Sequence, residues 1–264
     1  MPAPVNMLKH RLKAGETLIG CWLGMAEPYL AEISATAGFD WLLIDGEHAP
    51  NDIRSMAAQL AVLEASGVST VIRLPDDDPA RIKQALDIGA QTLLIPMVES
   101  AGQAERIYRA TRYPPLGFRG VGSALARASK FAAIPDYLTT ADDQICVLAQ
   151  VESRAGLEAL DGILAIDGID GVFVGPSDLA ADMGHIGRPA EPAVKDAVLD
   201  ALRRIRAAGR IAGVLSMDPV YIADCRDAGA NFLGVGIDVT LFAAAMRAHA
   251  KKYKSGNGLP PQHG

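Results

Sequence analysis

Only three cysteines occur in the 264 residues, Cys21, Cys146 and Cys225, far apart and with no CxxC pair. An odd, scattered set excludes a disulfide framework and a cysteine-based zinc centre, and no HExxH stands in for one. Long apolar runs are missing. The longest, 92–98 and 171–176, are far too short to cross a bilayer. Lys9, His10, Arg11 and Lys13 are not followed by a signal-like apolar core, so a cytoplasmic protein with no membrane partner is expected. Basic excess is missing too. Lys and Arg number 25 against 31 Asp and Glu, a formal charge of −6. Nucleic-acid backbones are held by the opposite balance, so no nucleic-acid partner is expected, while a small anion met by one or two local arginines remains open. No GxGxxG follows a strand and no GxxxxGK[ST] appears, which removes the usual nucleotide signals. The lysines (Lys9, Lys13, Lys83, Lys130, Lys195, Lys251, Lys252 and Lys254) all lie outside the strands assigned below. A Schiff-base mechanism needs a desolvated lysine at the reacting carbon, and none is offered.

What is present is a regular change of period. Half the residues are hydrophobic, 21% are charged and mean hydropathy is +0.16, as in a soluble globular chain. Short apolar runs predict strands at 18–23, 41–45, 70–74, 92–97, 145–151, 171–175, 211–215 and 232–236. Amphipathic stretches predict helices at 29–36, 52–65, 79–88, 103–111, 156–165, 193–208, 220–227 and 240–252. Strands buried on both faces read as continuous apolar runs, and each parallel step needs a crossover helix. Eight such units at this length predict an α/β fold, a single (β/α)₈ TIM barrel over 1–254, with 255–264 as a flexible tail. Gly38, Gly89, Gly209 and Gly229 each stand between a helix and the next strand, where a left-handed helix end is cheap for glycine. Two segments, 113–137 and 178–192, are too long for simple connectors and should form structured excursions.

In such a barrel the chemistry sits where the strands end. The strand ends deliver Asp45, Glu47 and His48; Arg73; Glu99; Gln150 and Glu152; Ser177 and Asp178; Ser216; and Asp238. Glu152 and Asp178 close successive strands. They can share a hard divalent cation, Mg²⁺ or Mn²⁺, or serve as helix N-caps. His48 is the histidine beside an interior strand end, a proton carrier or a surface residue. Arg73, on a strand, must meet a carboxylate of the protein or of a ligand. Asp87 lies near a helix C-terminus, where the dipole disfavours it, so it should have a specific partner. Arg119, in a glycine-rich loop, can approach an anion closely.

The strings WLLIDGEH (41–48), LDIGAQTLLIPM (86–97), GFRGVG (117–122), QVE (150–152) and FVGPSD (173–178) resemble the HpcH/HpaI aldolase family, class II metal-dependent pyruvate aldolases of the phosphoenolpyruvate/pyruvate superfamily. The resemblance runs from about Leu8 to Lys254. It implies an aldolase that makes or cleaves the C3–C4 bond of 4-hydroxy-2-oxo acids, giving a pyruvate or hydroxypyruvate enolate and an aldehyde, in aromatic-compound catabolism. It implies Glu152 and Asp178 as ligands of a divalent metal (Mg²⁺, Mn²⁺ or Co²⁺). Arg73 would hold the 2-oxo oxygen and His48, directly or through a water on the metal, would be the acid/base. Asp87 would support His48 across a subunit contact, and Asp45 would join the metal's water network. Gln150, Gly175, Pro176, Ser177, Trp22 and Leu215 would bind substrate. A homohexamer, a trimer of dimers that exchanges its last helix, is implied as well. The alternatives are a citryl- or malyl-CoA lyase on the same barrel, or a non-catalytic keto-acid binder.

Overall fold

The computed structural model describes residues 1–254; the expected tail at 255–264 lies outside the described residues. Eight parallel strands close into a barrel in sequence order: β1 (Leu18–Leu23), β2 (Trp41–Asp45), β3 (Ser69–Arg73), β4 (Thr92–Ile95), β5 (Cys146–Val151), β6 (Gly171–Val174), β7 (Ile211–Leu215) and β8 (Phe232–Ile237). Around them run α1 (Met7–Lys13), α2 (Pro28–Ala35), α3 (Ile53–Ser66), α4 (Pro79–Asp87), α5 (Ala101–Ala110), α6 (Tyr137–Gln144), α7 (Arg154–Glu158), α8 (Leu160–Leu164), α9 (Pro176–Asp182), α10 (Pro192–Ala207), α11 (Pro219–Asp227) and α12 (Asp238–Lys254). Every expected strand is present within one or two residues at each end. Gly38, Gly89, Gly209 and Gly229 all take positive φ, from +72° to +110°, as their positions at helix ends require.

Alternation along each strand sorts side chains into two cores. One set faces the helices, for example Leu42, Ile44, Ile72, Val147 and Val172. The other fills the barrel: Leu18, Trp22, Trp41, Leu43, Val71, Leu94, Cys146, Leu148, Phe173, Ile211 and Phe232, with Leu8 and Leu12 of α1 packed against them. The interior is a packed aromatic stack. Trp41 lies on Phe232 with ring centroids 4.0 Å apart, and Trp22 meets Trp41 edge-on at 5.5 Å. Room for these rings comes from glycine at inward positions. A Cβ on Gly20 would lie 2.0 Å from the Trp41 ring, and one on Gly213 would be 2.7 Å from Phe173.

The excursion expected at 113–137 is ordered by two 3₁₀ turns, Ser123–Leu125 and Arg127–Ser129. It leads into α6, whose sequence YLTTADDQ buries only Tyr137 and Ala141 and so carried little helical pattern. The second excursion is shorter than expected, because its first part continues as α9. All three cysteines are buried and unpaired. Among the described residues no helix is long and apolar enough to cross a membrane.

Candidate active site at the strand ends

The inward parity that buries apolar groups lower in the barrel delivers polar ones at its rim. On β2 the inward series Trp41, Leu43 is followed by Asp45 and then Glu47. On β5, Cys146 and Leu148 are followed by Gln150 and Glu152. Asp45 and Arg73 are register partners across β2 and β3, so their side chains emerge side by side. Arg73 Nε donates to Asp45 Oδ1 at 2.8 Å and Nη2 to Oδ2 at 2.6 Å. Its Nη1 lies 2.8 Å from Glu47 Oε2. That oxygen is buried without a well-directed hydrogen bond, so the second contact is an ion pair. Burial alone would make Arg73 easier to deprotonate. The charges of Asp45, Glu47 and Glu152 more than offset it.

Asp45 is therefore already engaged. Its Oδ1 also accepts the backbone N–H groups of Glu47 (3.0 Å) and His48 (3.4 Å). Besides the expected place in a water network, strand register gives Asp45 a second task, that of a clamp on Arg73. Glu47 was expected at the strand end but with no role, although it follows Asp45 at the same parity. Burial raises its carboxyl above the ordinary range, opposed by Arg73 and His48 and reinforced by Asp45 and Asp178. His48 stands outside this knot. Its side chain is 66% exposed, with Nε2 3.9 Å from Glu47 Oε2.

Glu152 is 3% exposed. Its Oε1 accepts the N–H of Met97 at 2.9 Å, and its Oε2 accepts Gln150 Nε2 at 2.5 Å. Burial pushes its pKa up to about 7 despite those two bonds, and the charges of Glu47 and Asp178 add to the rise. Gly175 follows β6 beside it. A Cβ there would lie 2.6 Å from Glu152 Oε2, so the glycine keeps space for the carboxylate. Asp178 is in the first turn of α9, exposed. Capping does not explain either acid: Ser153 caps α7 by accepting from Gly156 N, and α9 begins at Gly175 with no side-chain cap.

Among the described residues no group of three or more His, Cys, Asp or Glu is arranged to hold a metal by itself. What the mouth offers is an all-oxygen set, Glu152 with Asp178 and Glu47 close enough to repel it. Gln150 Oε1 nearby is buried without a partner. Such a set fits a hard divalent cation that takes its remaining ligands from water and substrate, and the repulsion among the acids is what a cation would relieve.

Among the other expected positions, Leu215 ends β7, half-buried, while Pro176 is buried and Ser177 exposed at the start of α9. Trp22 is buried in the aromatic stack, with its ring also 5.5 Å from Phe173. Asp87 is not brought to the mouth of its own barrel. Helices return antiparallel to the strands, so the end of α4 lies at the opposite rim from Arg73 and His48. The partner expected for it there is Arg119, whose Nη2 donates to Asp87 Oδ1 at 2.6 Å. Within one chain His48 and Asp87 are not neighbours.

A model of the HpcH/HpaI aldolase/citrate lyase family matches residues 18–245. The chain is 60% identical over 255 residues to the hydroxypyruvate/pyruvate aldolase of Roseovarius nubinhibens, covering 97% of this chain and 99% of that protein. It is 50% identical over 254 residues to the 4-hydroxy-2-oxo-heptane-1,7-dioate aldolase of Salmonella dublin, covering 96% and 97%. A solved HpcH/HpaI aldolase/citrate lyase family protein from Burkholderia cenocepacia superposes with a TM-score of 0.90 at 39% identity, over 95% of this chain and all of that one. A match across nearly the whole barrel, with full-length relatives named as aldolases, makes this chain a carbon–carbon lyase and a member of the HpcH/HpaI aldolase/citrate lyase family.

Proposed function

We propose that the mouth of the barrel makes and cleaves the C3–C4 bond of 4-hydroxy-2-oxo acids, with pyruvate or hydroxypyruvate as the nucleophilic half and an aldehyde as the other. The observation that carries this reading is the Asp45–Arg73–Glu47 knot facing the buried carboxylate of Glu152. One cation and a concentration of oxygen ligands thus meet where charge would develop on a keto oxygen. The relatives named above are aldolases for hydroxypyruvate, pyruvate and 4-hydroxy-2-oxo-heptane-1,7-dioate, which supports the same substrate class. It gives a CoA-ester lyase no comparable support.

In cleavage the C4 hydroxyl loses its proton, the C3–C4 bond breaks, and its electron pair passes through the carbonyl to the 2-oxo oxygen. His48 is exposed at the rim and takes the hydroxyl proton. A guanidinium has five N–H groups. Asp45 engages two on Arg73 and Glu47 pairs with Nη1 by charge alone, leaving N–H groups on Nη1 and Nη2 for the enolate oxygen. Protonation at C3 then releases the keto acid. Glu152 and Asp178 would hold a divalent ion (Mg²⁺, Mn²⁺ or Co²⁺), which when bound supplies Lewis-acid polarisation of the 2-oxo group. Gln150, Gly175, Pro176, Ser177 and Leu215 border the keto acid, above a floor formed by Trp22. Release of pyruvate from a 4-hydroxy-2-oxo acid tests the reading; release of CoA from an acyl-CoA thioester instead would replace it.

Asp87 is read as acting on His48 of a neighbouring copy, since it lies at the far rim of its own barrel. A homo-oligomer, a hexamer by resemblance, is supported by α12. None of its 17 residues is buried, and Val239, Leu241, Phe242 and Met246 stand exposed. Burying such a face needs a partner surface, and light scattering at working concentration would test it. The catalytic domain is read as 1–254, and the protein as cytoplasmic.

A further inference from the structure

Glu152 owes one of its two hydrogen bonds to a residue in an unfavourable conformation. Met97 follows β4 with φ +54°, a left-handed conformation that bulky side chains rarely hold unless their surroundings impose it. The conformation sends its two backbone groups in different directions. The N–H goes inward to Glu152 Oε1, while the C=O accepts Gln103 Nε2 at 3.1 Å. The same Gln103 side chain accepts the N–H of Glu99 through Oε1 at 2.9 Å. Gln103 thus grips the 97–99 segment from both sides. Its own backbone N–H is fixed by Ser100 Oγ at 3.2 Å, the N-cap of α5. Two further ties hold the segment against β5 and the turn after it: Val98 N donates to Gln150 O at 2.9 Å, and Ser153 Oγ donates to Glu99 Oε1 at 2.7 Å.

We propose that Gln103, which lies on the outer helix α5 and not in the mouth, is a positioning residue for Glu152: its amide clamps Met97 in the left-handed conformation that aims the Met97 N–H at the carboxylate. This rests on the reading of Glu152 as a metal ligand. Groups that orient a ligand from behind alter metal affinity by about 10–100-fold when removed. An alanine at 103 loses both contacts, whereas a glutamate keeps an acceptor for the Glu99 N–H and loses the donor to Met97 O.

The test measures Mn²⁺ binding by calorimetry, without substrate, for the full-length wild type, Gln103→Ala and Gln103→Glu. Hydrogen exchange of the 97–99 amides in the metal-free proteins is followed alongside. The expected result is about tenfold weaker Mn²⁺ binding in Gln103→Ala, a comparable loss in Gln103→Glu, whose carboxylate would face Met97 O without a donor, and faster exchange confined to this segment. Adding Met97→Gly to Gln103→Ala should recover part of the affinity, because glycine takes positive φ without cost; a merely structural role would not respond this way. Mn²⁺ affinity and amide exchange both within twofold of wild type would overturn the proposal. If Gln103→Ala does not fold, Gln103→Glu decides by the same two readouts. Failure of the wild type to bind Mn²⁺ would remove the metal reading, and the exchange rates would still decide whether Gln103 holds the loop.

Discussion

Arg73 is held by Asp45 in a two-bond fork, Nε to Oδ1 at 2.8 Å and Nη2 to Oδ2 at 2.6 Å, because the two residues are register partners on adjacent strands. A guanidinium matches a carboxylate in this planar way and an ammonium does not. Arg73→Lys should therefore lower kcat for pyruvate release at least about 100-fold without weakening Mn²⁺ binding. Asp45→Asn, which leaves the arginine but loosens its fork, should cost less. Turnover of Arg73→Lys within a few-fold of wild type would remove Arg73 from the reaction.

Gly175 is expected to be intolerant for a local reason. A methyl group there would meet Glu152 Oε2 at 2.6 Å and turn the carboxylate away. Gly175→Ala should weaken Mn²⁺ binding about tenfold or more, while its metal-free form unfolds within a few degrees of wild type. Unchanged affinity in calorimetry would show that the carboxylate does not need this space.

The separation of His48 from Asp87 within one chain makes a subunit-mixing prediction. His48→Ala and Asp87→Ala should each be nearly inactive. Co-assembled in equal amounts, they should recover about a quarter of wild-type activity, the chance that a site draws both intact residues from different copies. No recovery after verified subunit exchange would place the Asp87 effect within a single chain, through its bond to Arg119.

The interior stack makes a stability prediction independent of chemistry. Gly20→Ala forces a methyl to within 2.0 Å of the Trp41 ring. Overpacking of this kind costs about 1–3 kcal/mol or more, so thermal unfolding should begin at least about 3 °C lower. An unchanged Tm would mean that the ring has room to move.

Much of the fold was legible because most strands are buried on both faces and most helices bury one stripe, so the two periods alternate visibly. Arg73 stood out because a charged group on a strand is costly without a partner; Glu152 stood out as a strand-end acid paired with Asp178, and Gln150 gained a role only from the family resemblance. Glu47, two residues beyond Asp45, was visible at the strand end, but its pairing with Arg73 was not. A role for it was hidden by its exposed neighbour His48, the more familiar proton carrier. The occupation of Asp45 by Arg73 depends on register between strands 28 residues apart, which no local pattern encodes. Asp87 announced a partner through its unfavourable helix position, and Arg119 answers it. Its distance from the mouth follows from helix direction alone. Gln103 reads as an ordinary first-turn helix residue until the left-handed turn at Met97 is seen.

The most direct test of the account is pyruvate formation from a 4-hydroxy-2-oxo acid by protein stripped with a chelator, then resupplied with Mn²⁺, with borohydride added in a parallel reaction. The account predicts loss of activity on stripping, recovery with Mn²⁺ in wild type but not in Glu152→Gln, and no covalent trapping by borohydride. Full activity in the stripped protein together with a borohydride-trapped keto acid on a lysine would contradict it.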